Sequence, residues 1–176
     1  MANATAAELS MGHLALHYGT AEEGPAASRL LQELGLKETQ VLPLPSGNFY
    51  RFVVNAGHFS RGDGIVYLSA LPEPQAKLIA AIHAALRVGT DNEDDAVTGY
   101  RAMMATDYEA SFHFGFLVDS LEVLEGIVLR LRDLNETDPL LKGRLNIGMN
   151  RARRGNPEVD ARLDASPVFG SCSRYA

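Results

Sequence analysis

Two stretches about a hundred residues apart share one order of residue types. Residues 12–20, GHLALHYGT, and residues 112–120, FHFGFLVDS, each place a histidine near the start of an apolar run with strand-like alternation. Each run leads into a segment whose apolar residues recur at helical spacing. A strand that feeds a helix twice in one chain predicts two similar modules. This repeat limits the fold more than any other feature of the sequence.

The residues around the first run predict a complete β-α-β-β-β module. After a strand at 13–19, Pro25 suits the first turn of a helix and Gly35 suits the position just past its end. Three strand-like runs separated by turn residues follow. They cover residues 39–44, 49–56 and 64–71.

The segments after the first module predict a helical insert and a second, shorter module. Apolar residues at helical spacing mark the insert at 75–88 and 93–106. A strand at 110–118 then leads into a helix that begins in capping-box spacing at Asp119 and Glu122. Two more strand-like runs cover residues 143–149 and 167–176. The second module is therefore β-α-β-β, one strand shorter than the first.

The pattern as a whole predicts an α+β chain in four parts. They are an N-terminal tail at 1–11, a first βαβββ module at 12–73, a helical insert at 74–107 and an incomplete second βαββ module at 108–176.

The overall composition excludes several classes of function. A net charge of −6 argues against a nucleic-acid binder held by phosphate contacts. No apolar run approaches the ~18 residues of a membrane span, so no membrane partner is expected. The first residues lack the basic and apolar regions of a signal peptide, and a single cysteine allows no intrachain disulfide. We therefore expect a cytoplasmic protein.

A β-α-β-β-β unit followed by a partial second copy resembles the vicinal oxygen chelate superfamily, which includes glyoxalase I, bleomycin-resistance proteins and extradiol ring-cleaving dioxygenases. The resemblance covers about residues 12–176 and rests on the two starts GHLALHYGTAEEGPAASRLLQELGL and FHFGFLVDSLEVLEGIVLRLRDL. It implies two modules whose sheets pair into a cup around a divalent metal. In the superfamily, the ligands come from the first and last strand of each module and are often histidines and glutamates.

Carried onto this sequence, the resemblance places His13 and His113 at the two first-strand ligand positions. Ser69 stands at the last-strand position of the first module, where a hydroxyl is a poor substitute for a carboxylate. The nearest acid, Glu73, lies beyond that strand, and the second module lacks the strand that would carry its ligand. The resemblance therefore implies either a divalent metal (Fe, Mn, Ni or Zn) held weakly by His13, His113 and Glu73, or no metal.

Two functional classes stay open at this point. As an enzyme, the protein is a metal-dependent extradiol-dioxygenase-like protein or a lyase or isomerase, with Tyr67, Tyr108 or His17 as acid–base groups. As a binder, it is a metal-free dimer that binds or sequesters a small, partly aromatic molecule. Its cup is then lined by Phe49, Phe52, Tyr67, Phe112, Phe114 and Phe116.

A third class is a structural or regulatory dimer without a ligand. The dimer itself is predicted from the short second module, because an open sheet edge leaves backbone N–H and C=O groups that pair readily with another strand. We therefore expect a homodimer whichever of these classes is correct.

Overall fold

The computed structural model describes residues 10–106, 114–149 and 167–170. The chain forms two compact units, Met1–Ala76 and Lys77–Ala176. The α+β class is as predicted. The strands of the described part are β1 (His13–Tyr18), β2 (Lys37–Leu42), β3 (Phe49–Val53), β4 (Ile65–Ala70), β5 (Asn146–Met149) and β6 (Pro167–Gly170). Its α-helices are α1 (Gly24–Glu33), α2 (Glu73–Ala85), α3 (Asp95–Thr106) and α4 (Leu121–Thr137).

The first unit has the predicted β-α-β-β-β order of elements. Its four strands form one mixed sheet in the order β1-β4-β3-β2. The first and last strands of the unit, β1 and β4, are parallel neighbours, whereas β3 pairs antiparallel with both β4 and β2. This topology brings side chains of β1 next to side chains of β4, although the two strands are about fifty residues apart in sequence.

Helix α1 packs on one face of this sheet. The hydroxyl of Ser28 on α1 donates a hydrogen bond of 2.8 Å to Glu38 on β2, and Glu38 lies in register with the fully buried Phe52 on β3. Apolar side chains of α1 and of the strands fill the space between the helix and the sheet. The buried residues of this core include Tyr18, Ala26, Leu31, Tyr50, Phe52, Val66 and Leu68.

Local sequence sets both ends of α1. The carboxylate of Glu23 accepts the backbone N–H groups of Gly19 and Thr20, at 2.9 and 3.1 Å, and so fixes the turn that enters the helix. After the helix, Gly35 has a φ of +97°, a conformation that glycine adopts without steric cost. The chain reverses there and enters β2.

The second unit is built around α4. Leu124, Ile127, Val128 and Leu131 form its buried stripe, as their spacing in the sequence predicts. The strands β5 and β6 pair antiparallel in a separate sheet, which has two strands among the residues that the structure describes. The bounds of α2 and α3 agree with the predicted helical insert to within about three residues.

The predicted strand at 110–118 is not formed in its described part. Residues 114–118 have no strand structure, and Leu117 is fully exposed. A strand is stable only when a neighbour pairs with its backbone, and no described strand pairs with these residues. The rest of this run lies outside the described residues, together with Phe112 and His113.

Helix α4 begins one residue later than the capping-box spacing predicts. Its N-cap is Ser120, whose hydroxyl accepts the backbone N–H of Val123 at 3.3 Å. Hydrogen bonds from the backbone N–H of Glu122 and from the Ser120 hydroxyl lower the pKa of the Glu122 carboxyl below its ordinary value. The cap at Asp119 was therefore predicted wrongly, because serine and aspartate are equally good N-caps and the sequence offers both.

We expect Ser120→Ala to lower the free energy of unfolding of the second unit by about 1 kcal/mol, since it removes the acceptor for one exposed N–H of the first turn. Asp119→Ala is the matched control, and we expect a loss of no more than about 0.5 kcal/mol from its charge near the helix N-terminus. Urea denaturation followed through the NMR signals of α4 measures both changes. A larger loss in Asp119→Ala than in Ser120→Ala would contradict this assignment of the cap.

None of the helices in the described part of the chain is long and apolar enough to cross a membrane. The cytoplasmic location stays a prediction. So do the four-part division of the chain and the pairing of two modules into a cup.

Candidate functional site

The face of the first sheet opposite α1 carries most of the residues of the first module that the sequence predicted for a site. We call it the open face. Because side chains alternate along a strand, the register of the four strands fixes its members. They are His13, Ala15 and His17 on β1, Ile65, Tyr67 and Ser69 on β4, Phe49, Arg51 and Val53 on β3, and Lys37, Gln40 and Leu42 on β2.

The side chains at one end of the open face are buried, and the others are at least partly accessible to solvent. Val53 and Ile65 are buried, at 1% and 6% exposure. His13 and His17 are exposed, while Tyr67 and Phe49 are half-buried. The open face is therefore a partly covered surface with side chains that a small molecule can reach.

Three rings lie in a row across the open face. The ring of Tyr67 on β4 lies 5.4 Å from that of His13 on β1 and 5.4 Å from that of Phe49 on β3, between ring centroids. The planes are tilted by 50° and 36°. Such distances and tilts are typical of favourable aromatic contacts. We call these three side chains the ring row; they form an aromatic strip about three strands wide.

His17 and Ser69 form a hydrogen-bonded pair beside the ring row. They are register partners on β1 and β4, and the Ser69 hydroxyl lies 3.2 Å from Nδ1 of His17. The tautomer of the imidazole decides which of the two atoms donates. The contact orients the imidazole on the open face.

Arg51 adds a fixed positive charge next to the ring row. It lies directly opposite Tyr67 in the register of β3 and β4. Its Nη1 is 3.4 Å from the hydroxyl of Thr39 on β2, and the same hydroxyl donates to the Arg51 carbonyl oxygen at 3.0 Å. Thr39 sits at an irregularity in the β2–β3 register between Glu38 and Gln40. This irregularity turns the Thr39 hydroxyl towards Arg51.

Phe52 does not line this surface, contrary to the sequence prediction. It points to the α1 side of the sheet and is fully buried, with 0% exposure. Its odd separation from Phe49 places the two rings on opposite faces of β3. Of the six predicted lining residues, Phe49 and Tyr67 lie together on the open face.

The predicted metal ligands are only partly described. His13 lies on the open face, and Glu73 is the first residue of α2, three residues after the end of β4. His113 and Tyr108 lie outside the described residues. Within the described residues, no three His, Cys, Asp or Glu side chains come together in a group that could hold a metal ion. The metal site therefore stays a prediction.

Sequence reasoning missed two features of this site. Arg51 could have been found by counting in twos along FYRFV, which places Phe49, Arg51 and Val53 on one face. The contact between His17 and Ser69 had no local signal, because it depends on the parallel register of β1 and β4.

Comparison of the chain with protein-family models, with curated proteins and with solved structures found no match. Nothing in these comparisons identifies the vicinal oxygen chelate superfamily, so membership in it stays a prediction from the sequence pattern.

Proposed function

We propose that this protein binds a small, flat, partly aromatic molecule on the open face of its first unit, in the manner that its resemblance to the vicinal oxygen chelate superfamily implies. The ring row of His13, Tyr67 and Phe49 carries the proposal. Pockets for small molecules combine aromatic surface with a few polar groups that fix orientation. The open face offers both, because Arg51, His17 and Ser69 lie around the rings.

Other features of the sheet support a binding surface over a merely structural one. Most of the apolar core of the unit lies on the α1 side, where Tyr50, Phe52, Val66 and Leu68 are buried, and Val53 and Ile65 are buried at one end of the open face. Aromatic side chains on the other face are not needed to fill that core. Phe49 and Tyr67 remain half-exposed there, and exposed aromatic surface next to polar groups is typical of a ligand site.

We expect 2-naphthamide, a neutral two-ring probe, to shift the backbone NMR signals of β1, β3 and β4 when titrated into the protein. Tyr67→Ala removes the middle of the ring row and is expected to weaken this binding about fivefold, since an aromatic contact contributes about 1 kcal/mol. Tyr100→Ala is the matched control, because Tyr100 is an exposed tyrosine on α3 in the other unit. Equal affinities for Tyr67→Ala and the unchanged protein would rule out the open face as the site.

A metal-dependent dioxygenase, lyase or isomerase is the second candidate. The exposed imidazole of His13 on the open face favours it, since imidazole is a common ligand of Zn, Ni and Fe. In this proposal Tyr67, Tyr108 or His17 serves as the acid–base group, and His13, His113 and Glu73 hold the ion.

Metal analysis of the purified protein by mass spectrometry separates the two candidates. We expect less than about 0.1 equivalent of Fe, Mn, Ni or Zn per chain. Among the described residues no three His, Cys, Asp or Glu side chains come together, and fewer ligands hold a divalent ion weakly. One equivalent that is lost in His13→Ala, and kept in a His83→Ala control on α2, would favour the enzyme candidate instead.

We also propose that the chain forms a homodimer. The sheet of β5 and β6 has two strands among the described residues, and small sheets are stabilised when a further strand covers an edge. Light scattering at micromolar concentration checks this proposal: a mass that stays near 19.0 kDa at all concentrations would contradict it.

A further inference from the structure

The charge of the open face is opposite to that of the chain. The chain carries a net charge of −6, yet the twelve strand positions of the open face include Lys37, Arg51 and two histidines and no aspartate or glutamate. The one glutamate of the four strands, Glu38, is on the α1 side, where it accepts hydrogen bonds from Ser28 and Gln32. The basic side chains of the sheet and its one acidic side chain therefore lie on opposite faces.

The arginine of the open face is suited to a planar anion. Arg51 lies directly opposite Tyr67, and its guanidinium is in contact with the Thr39 hydroxyl. An arginine side chain has five N–H donors in a fixed fork. This fork matches the two oxygens of a carboxylate.

The charge and the rings are also neighbours in the sheet. Adjacent strands are about 4.8 Å apart, so the backbone of Arg51 on β3 is one strand spacing from that of Tyr67 on β4. In an aromatic carboxylate the charged group is bonded directly to the ring. A ring that lies against Tyr67 can therefore present its carboxylate to the neighbouring arginine side chain.

We infer that the ligand of the open face is an aromatic carboxylate, with its ring against Tyr67 and His13 and its carboxylate at Arg51. This inference rests on the proposed function and adds the chemical class of the ligand to it. Neutral aromatic molecules use only the ring row and bind more weakly.

The test compares 2-naphthoate with 2-naphthamide, two probes of nearly equal shape that differ in charge. Each is titrated into the full chain and followed by the backbone NMR signals of β1, β3 and β4. We expect 2-naphthoate to bind about tenfold more tightly, because a hydrogen bond between two charged groups is about twice as strong as a neutral one. In Arg51→Gln this advantage is expected to disappear while the affinity for 2-naphthamide stays within twofold.

Arg29→Gln is the matched control. It removes the same charge from the exposed side of α1, where Arg29 pairs with Glu33 at 2.9 Å, and should keep the advantage of 2-naphthoate. Equal binding of the two probes on the open face would overturn the inference and leave the proposed function standing. Binding of neither probe to the open face would overturn both. A tenfold advantage that survives Arg51→Gln would overturn the role of Arg51 and with it the inference.

Discussion

Phe52→Ala is expected to lower the free energy of unfolding of the first unit by about 4 kcal/mol. The Phe52 side chain is fully buried between the sheet and α1, with 0% exposure. Truncation of a buried phenylalanine loses the transfer free energy of the ring and leaves a cavity, which together cost about 3–5 kcal/mol. Urea denaturation, followed through the NMR signals of β3 and β4, measures this loss within the unit that contains the mutation.

Phe49→Ala is the matched control for Phe52→Ala. It removes the same side chain from the same strand, but from the half-exposed open face. We expect it to cost about 1 kcal/mol of stability, because less apolar area is withdrawn from water, and to weaken the binding of 2-naphthamide as Tyr67→Ala does. Similar stability losses in the two variants would contradict the assignment of the core to the α1 side.

Gly47→Ala is expected to destabilise the first unit by about 3 kcal/mol. Gly47 has a φ of +124°, which costs an L-residue about 1–3 kcal/mol. An added Cβ would also lie 2.5 Å from the hydroxyl oxygen of Tyr18 and 3.3 Å from the Cα of Ala21. The Tyr18 hydroxyl cannot easily move away, because it donates a hydrogen bond to the carbonyl oxygen of Asn48. Denaturation followed as for Phe52→Ala measures the effect.

Two further variants separate the strain of Gly47→Ala from its steric clash. Gly35 also has a positive φ, +97°, but an added Cβ there meets nothing within 4 Å, so Gly35→Ala should cost about 1–2 kcal/mol from backbone strain alone. Adding Tyr18→Phe to Gly47→Ala removes the closest clashing atom. We expect the double variant to lose about 1 kcal/mol less stability than the sum of the losses in Gly47→Ala and Tyr18→Phe. Simple additivity would show that the clash between the added Cβ and the Tyr18 hydroxyl contributes nothing.

Burial of Tyr18 also makes the stability of the first unit fall at alkaline pH. Desolvation, together with the neighbouring Tyr50, raises the pKa of the Tyr18 hydroxyl above its ordinary value of 10.0. A raised pKa means that the folded state favours the neutral phenol. The contribution of the neutral Tyr18 hydroxyl to the free energy of unfolding is therefore fully present below pH 10. It is lost as the pH rises through the pKa of Tyr18 in the folded state.

The sequence alone determined the local structure of the first unit. Alternation predicted β1, strand-like runs between turn residues predicted β3 and β4, and Pro25 and Gly35 set the limits of α1. These signals are local, because strand alternation and helix ends depend on residues that are only a few positions apart in the sequence. The buried stripe of α4 was predictable for the same reason.

Signals that depend on pairing were not readable from the sequence. The run containing Phe114 and Phe116 alternates like a strand, yet its described part forms none, because a strand also needs a neighbour.

The face of Phe52, by contrast, was readable from the sequence. Its odd separation from Phe49 places the two side chains on opposite faces of the strand, and Phe52 is buried on the α1 side. The prediction that Phe52 lines the ligand surface was therefore wrong.

The candidate site also combines features that the sequence determined with features that depend on strand pairing. Sequence determined which chemical groups were present on β1 and β4, and the histidines and Tyr67 were identified from it. Only the tertiary structure decided that β1 and β4 are parallel neighbours, which brings His17 to Ser69 and His13 to Tyr67. It also placed Arg51 opposite Tyr67. The physical reason is that strand order and register are set by burial of the whole sheet against α1, and no short stretch of sequence contains that information.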